Sequence, residues 1–222
     1  ITDDEAPVFM VEDFTNSNAT ASYSDNSFTG NNSITWSYVT SRNENADANG
    51  AGIDGNALML RRVSSDSKIT SNSISGGIGD FSVKLYKGFT GGGDRQVELF
   101  INGVTKGTST VFDDNIEHIF TINGINVTGD VIIELKNTTS SQIIVDDISW
   151  TSYSTTVTWD GSDSSDWATP ANWDTNAIPI ATDNVIIPDV TTAPIIGATT
   201  GAVTNDLTIT EPDGINITAG GS

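Results

Sequence analysis

Residues 96–103 read QVELFING, and this stretch decides the fold class. Val97, Leu99 and Ile101 alternate with Glu98 and Phe100. Side chains of an extended strand point to opposite faces in turn, so the pattern makes one apolar face. Asn102-Gly103 then supplies two residues that accept positive φ, as the centre of a type I′ hairpin turn requires. The same texture spreads outward. Asp80–Lys87 (DFSVKLYK), Glu117–Asn123 (EHIFTIN) and Asp130–Lys136 (DVIIELK) alternate in the same way, and Gln142–Trp150 (QIIVDDISW) reads as a more buried strand. Val8–Phe14, Ile34–Val39 and Ala57–Arg62 add further strands, and Gly, Asn and Asp clusters separate them. Thr, Val, Ile and Ser dominate where a helix would need Ala, Leu, Glu and Lys. The reading is all-β, an antiparallel jelly-roll β-sandwich of about nine or ten strands before residue 151.

Composition excludes several functions. The chain of 222 residues carries a net charge of -20, so a general phosphate-binding surface for nucleic acid is not expected. It has no Cys, which removes disulfides, cysteine-ligated zinc and thiol catalysis. Its one His, His118, leaves little for a triad. No apolar run approaches the ~20 residues of a membrane helix, so no membrane insertion is expected. The opening ITDDEAP reads as the interior of a larger polypeptide.

The texture changes near Tyr153. No Lys or Arg follows Lys136, while acidic residues continue. The expected division is a sandwich over 1–151, a linker over 152–156, and a small β-rich unit over 157–222 that continues in a longer chain. Trp159, Trp167 and Trp173 of that unit are either a stacking platform or, more simply, its small core.

Four stretches carry a resemblance: Val11-Glu12-Asp13-Phe14, Gly52–Leu58 (GIDGNAL), Gly76–Gly88 (GGIGDFSVKLYKG) and Val145-Asp146-Asp147-Ile148. With them the chain resembles a jelly-roll module of secreted Bacteroidetes-type proteins, in the class of carbohydrate-binding and adhesion domains. The stretch TWDGSDSSDWATPANWD resembles the opening of β-solenoid or adhesin-like repeats. The resemblance implies a secreted or cell-surface setting and a polysaccharide or surface-glycan partner. It also implies a structural calcium joining the first strand to the last, through Glu12 or Asp13 and Asp146 or Asp147. The alternative for these carboxylates is a solvated turn, or an edge charge that discourages aggregation. Asn43–Asp54, alternating Asn and Asp, is either an irregular calcium loop or an ordinary surface loop.

In so acidic a chain, cations and rings on one sheet face would suit a glycan, because rings stack on sugars and guanidinium forks bind carboxylate or sulfate. Trp36, Tyr38, Arg42, Arg61, Lys84, Tyr86 and Arg95 are the candidates. Lys84 and Tyr86 face away from Phe81, Val83 and Leu85. The plain alternatives are core for the rings and scattered solvated charges for the cations. Glu98, Glu117, Glu134 and His118 match no glycosidase or lyase spacing, so a non-catalytic module is expected. The other readings are a structural spacer or protein-interaction domain of an adhesin, and last a polysaccharide lyase or glycosidase.

Overall fold

The computed structural model describes residues 9–45, 55–197, 201–210 and 215–218. Residues 46–54, which hold most of the second calcium candidate and the start of GIDGNAL, lie outside the described residues, as do the opening 1–8. The chain is all-β and divides into two compact units, Phe9–Tyr153 and the residues from Ser154 onward.

The first unit is an antiparallel sandwich. One layer is built from β8 (Val104–Thr108), β7 (Val97–Ile101), β10 (Ile133–Asn137), β5 (Lys68–Ser71) and the first half of β3 (Thr35–Asn45), with β2 (Ser24–Thr29) beside β3. The other runs from the second half of β3 through β4 (Asn56–Leu60), β11 (Ile143–Trp150) and β6 (Phe81–Lys87) to β9 (His118–Ile122), with β1 (Met10–Glu12) on β11. β3 serves both layers. Its residues 36–39 pair with β5, its residues 41–45 with β4, and Thr40 between them sits at φ 43. The turn anticipated at Asn102-Gly103 joins β7 to β8 with both residues at positive φ, 52 and 75.

Alternation explains the core. Val97, Leu99, Ile133, Leu135 and Ile69 point inward from one layer, and Phe81, Val83, Leu85, Leu58, Ile143 and Val145 from the other. Trp36 and Trp150 meet between them edge-to-face, 6.1 Å apart. The buried carboxylate of Glu12 accepts the N–H groups of Phe14 and Asn31, each at 2.9 Å, and so ties β1 to the turn after β2. Gly30 is required there, because a Cβ would lie 1.7 Å from Glu12 Oε2.

The second unit reverses the logic, since its strands pair in parallel. β12 (Thr156–Thr158), β13 (Asn184–Ile187) and β15 (Asp206–Ile209) stack in one ladder, and β14 (Ile195–Ile196) and β16 (Asn216–Ile217) in another. Thr156, in the stretch read as linker, already belongs to β12. Successive turns of chain are laid on one another, as in a solenoid. Asn205 donates to Asn184 at 2.9 Å, and Asn184 donates to Ser154 at 3.2 Å, an amide chain across the stack. Trp159, Trp167 and Trp173 are buried together and form its core, with Trp173 edge-to-face to both partners. No helix among the described residues is long and apolar enough to cross a membrane.

Candidate functional site

Register assembles a face on the outside of the second layer. Arg42 lies opposite Met59, Met59 opposite Ile144, and Ile144 opposite Tyr86. The next row holds Asp146, Lys84 and Ile119. Their alternate neighbours Leu58, Val145 and Leu85 are core residues, so both rows point outward. Ala57, Met59, Tyr86 and Ile144 form a small apolar cluster on this face, and Tyr23 packs against it.

Tyr23 is the centre of the cationic end. Its hydroxyl lies 3.2 Å from Met59 Sδ. The Arg61 guanidinium lies 5.2 Å from its ring centre and that of Arg42 5.8 Å. Arg42 also lies 5.3 Å from the ring of Phe89, which is 38% exposed. These distances are within the reach of cation–π attraction, about 6 Å. Burial pushes the Tyr23 phenol above its usual range, while Arg42, Arg61 and Arg62 pull it back. Arg42 pairs with Glu44 at 2.5 Å. The Nε atoms of Arg42 and Arg62 are buried and find no acceptor among the described residues. Two guanidinium groups therefore lie over one half-buried ring, and the Nε of Arg42 is an unmatched donor there.

The candidates named from the sequence separate accordingly. Arg42 and Arg61 stand at this end. Lys84 shares the face but is engaged by Asp147 at 2.8 Å and by Glu117 at 3.8 Å. Tyr86 shares it too, but the ring is 2% exposed and the hydroxyl donates to Glu117 at 2.6 Å, so it offers no stacking surface. Burial and Glu117 hold its phenol well above the usual range. Trp36 and Tyr38 point to the opposite side and are core residues, because their positions on β3 share the face of Ile34 and Ile69. Arg95 is enclosed at 1% exposure by its own loops. Tyr23 and Phe89 escaped the sequence reading because both lie outside alternating strands. An aromatic residue directly after a strand and before Gly91-Gly92-Gly93 was the available signal.

The calcium candidates do not come together as a metal site. β1 and β11 are neighbours, with Glu12 opposite Ile148. Both Glu12 oxygens are taken by backbone N–H groups, and Asp13 accepts from Thr15 N at 3.0 Å. Asp147 is paired with Lys84, at a bulge where its own φ is 46. Asp146 is buried, and burial with the nearby Asp147 pushes its carboxyl up to about 7. Among the described residues no three acidic or His side chains gather as a metal set. Glu12, Asp13 and Asp147 are each engaged by partners within the protein.

The carboxylates weighed for catalysis are also engaged. Glu98 accepts from Thr105, and Glu134 from Thr70 and Lys68. His118 stacks on Phe112 at 4.1 Å and bonds Asp114 at 2.6 Å.

A family model described as a domain of unknown function, DUF8693, matches residues 158–222. No curated protein matches the chain. Among solved structures, the chain is similar to a family 6 carbohydrate-binding module at 16% identity, covering 66% of this chain and 95% of that one, with a TM-score of 0.39. The C-terminal CBM6 of LamC, a marine laminarinase from Zobellia galactanivorans, matches at 11% identity, covering 65% and 99%, with a TM-score of 0.40. The carbohydrate-binding module CBM36, solved with calcium and xylotriose, matches at 22% identity, covering 50% and 91%, with a TM-score of 0.35.

Proposed function

We propose that the sandwich is a non-catalytic polysaccharide-binding module whose contact surface is the Tyr23, Phe89, Arg42 and Arg61 end of the outer face. One observation carries the reading: in a chain of net charge -20, two of the nine Lys and Arg residues place their guanidinium groups over one ring, beside an exposed second ring. Phe89 supplies an open apolar face for a sugar ring, and the arginines supply forks for carboxylate or sulfate. The favoured ligand class is thus an acidic glycan. The surrounding negative field repels polyanions in general, so selection falls to the local forks. An acidic, cysteine-free, Thr- and Asn-rich chain suits a secreted or surface-borne segment of a larger polypeptide.

Titration calorimetry against sulfated, uronic and neutral polysaccharides tests this. Arg61→Ala and Phe89→Ala are each expected to weaken binding of the acidic class by about tenfold or more, roughly 1.4 kcal/mol or above. Absence of binding to every class at millimolar concentration overturns the reading. Binding of neutral glycans alone, unmoved by Arg61→Ala, overturns the acidic preference.

A further inference from the structure

Arg95 stands among the ligand candidates, but its surroundings assign it another task. The side chain is 1% exposed although it carries a permanent charge. Its guanidinium is saturated by oxygen. Nε donates to Gln142 O at 3.2 Å. One terminal nitrogen donates to Gly93 O and Asp113 Oδ1. The other donates to Gly88 O at 3.1 Å and Gly91 O at 2.8 Å. Four backbone carbonyls and one carboxylate, drawn from three separate segments, thus converge on one cation. Asp113 extends the lock, accepting from Lys87 at 2.8 Å and from Gly93 N at 2.9 Å.

Every carbonyl from the 88–93 segment belongs to the loop that carries Phe89. That loop has no strand partner of its own, and Phe89 sits at φ 60, a conformation side chains rarely adopt. Such a conformation persists only where its surroundings over-determine it. The loop is drawn tight on the residue before β11: Gly88 N bonds Gln142 O at 3.1 Å, and a Cβ on Gly88 would lie 2.8 Å from Gln142 Cβ. The ring of Phe89, on the same loop, lies 5.3 Å from the Arg42 guanidinium.

We infer that Arg95 is an internal cation that fixes loop 88–94 and so positions Phe89 on the binding face. It does for these loops what a bound metal does elsewhere, since carbonyl and carboxylate oxygens are also what a hard cation selects. The inference concerns a positioning residue, and its effect on ligand affinity rests on the proposed polysaccharide reading.

The test reads two quantities on the whole chain, hydrogen exchange of the 88–94 amides and affinity for the acidic polysaccharide. Arg95→Ala is expected to speed exchange in 88–94 and to weaken binding by about tenfold, the scale of losing a preorganised contact. Added guanidinium ion, at concentrations too low to denature, restores both by refilling the cage. Asp113→Asn removes one charge without emptying the cage and is expected to act in the same direction with smaller size, should Arg95→Ala not fold. Unchanged exchange in both variants overturns the inference. Faster exchange with unchanged affinity overturns the positioning role. If the unaltered chain binds no polysaccharide, the functional reading fails, and the exchange data alone decide whether Arg95 holds the loop.

Discussion

The two units bury tryptophan by different means. In the sandwich, Trp36 and Trp150 are two members of a large core fed by both layers. In the second unit, Trp159, Trp167 and Trp173 are half of the six fully buried apolar residues of the cluster. The antiparallel unit spreads its stability over many alternating strands, most of which pair with strands distant in sequence. The parallel unit must lay one turn of chain on the next, and its strands are two to four residues long. Short strands contribute few ladder bonds, so aromatic burial has to supply much of the rest. A unit of that size is marginal by itself.

The sharpest way to break the comparison is to remove one tryptophan from each unit. Trp173 touches Trp159 at 5.0 Å and Trp167 at 4.7 Å, and its Nε1 donates to Trp167 O at 3.0 Å. Large-to-small changes of this kind cost about 3–5 kcal/mol. Trp173→Ala is expected to unfold the second unit, seen as loss of its dispersed amide signals in NMR. Trp36→Ala is expected to lower the melting temperature of a sandwich that stays folded. The reverse outcome would mean that the small unit has a source of stability outside its tryptophans.

The next effect belongs to the sandwich and depends on pH. Asp146 is buried with its carboxyl raised to about 7, against 3.8 ordinarily. The folded chain therefore holds a proton that the unfolded chain has released between about pH 4 and 7. This contribution is full below the unfolded value, falls as pH rises toward 7, and is level above. At roughly 1.4 kcal/mol per unit, the upper bound is about 4 kcal/mol, and Lys84 nearby reduces it. Asp66 and Asp113 are held low by Lys partners and Asp114 by its hydrogen bond with His118, and all three act oppositely, losing stability only as pH falls below their ordinary range. Urea unfolding at pH 5 and pH 8 should show a less stable sandwich at pH 8, with Asp146→Asn removing most of the difference. An unchanged difference in Asp146→Asn assigns the effect to another group.

Legibility followed the same divide between the units. Strands with a period of two were readable because alternation and Asn-Gly turns are local signals. β2 (SDNSFT) was not, since five of its six residues are exposed and polar and its place is set by pairing with β3. In the second unit the parallel ladders join residues 20 or more positions apart, which no window reveals. Of the candidate face, Arg42 and Arg61 stood out as cations in an acidic chain. Alternation also grouped Lys84 with Tyr86 correctly. It carries no information on which face another layer covers, and so Trp36 and Tyr38 were eligible for the surface as well as for the core. Arg95 was out of reach for the same reason, because three distant segments close around it.

The smallest effect contrasts the turn of one unit with the stack of the other. Asn102 and Gly103 hold φ 52 and 75 in the β7–β8 hairpin, and Asn102 also accepts from Ile132 N at 2.7 Å. Asn102→Ala keeps a Cβ in a left-handed conformation while removing the side chain that fastens the turn. Its cost is about 1–2 kcal/mol, the sum of left-handed strain and a lost hydrogen bond. In the stack, Asn205→Ala deletes one amide of a chain with exposed ends and costs about 0.5–1 kcal/mol, the net value of a neutral hydrogen bond. The difference matters because the turn is a local device, whereas the amide chain only joins rungs already aligned by Val157, Val185 and Leu207. Thermal unfolding of the two variants, followed by probes within each unit, ranks them. A larger loss for Asn205→Ala would show that the amide chain, more than the apolar column, holds the parallel rungs in register.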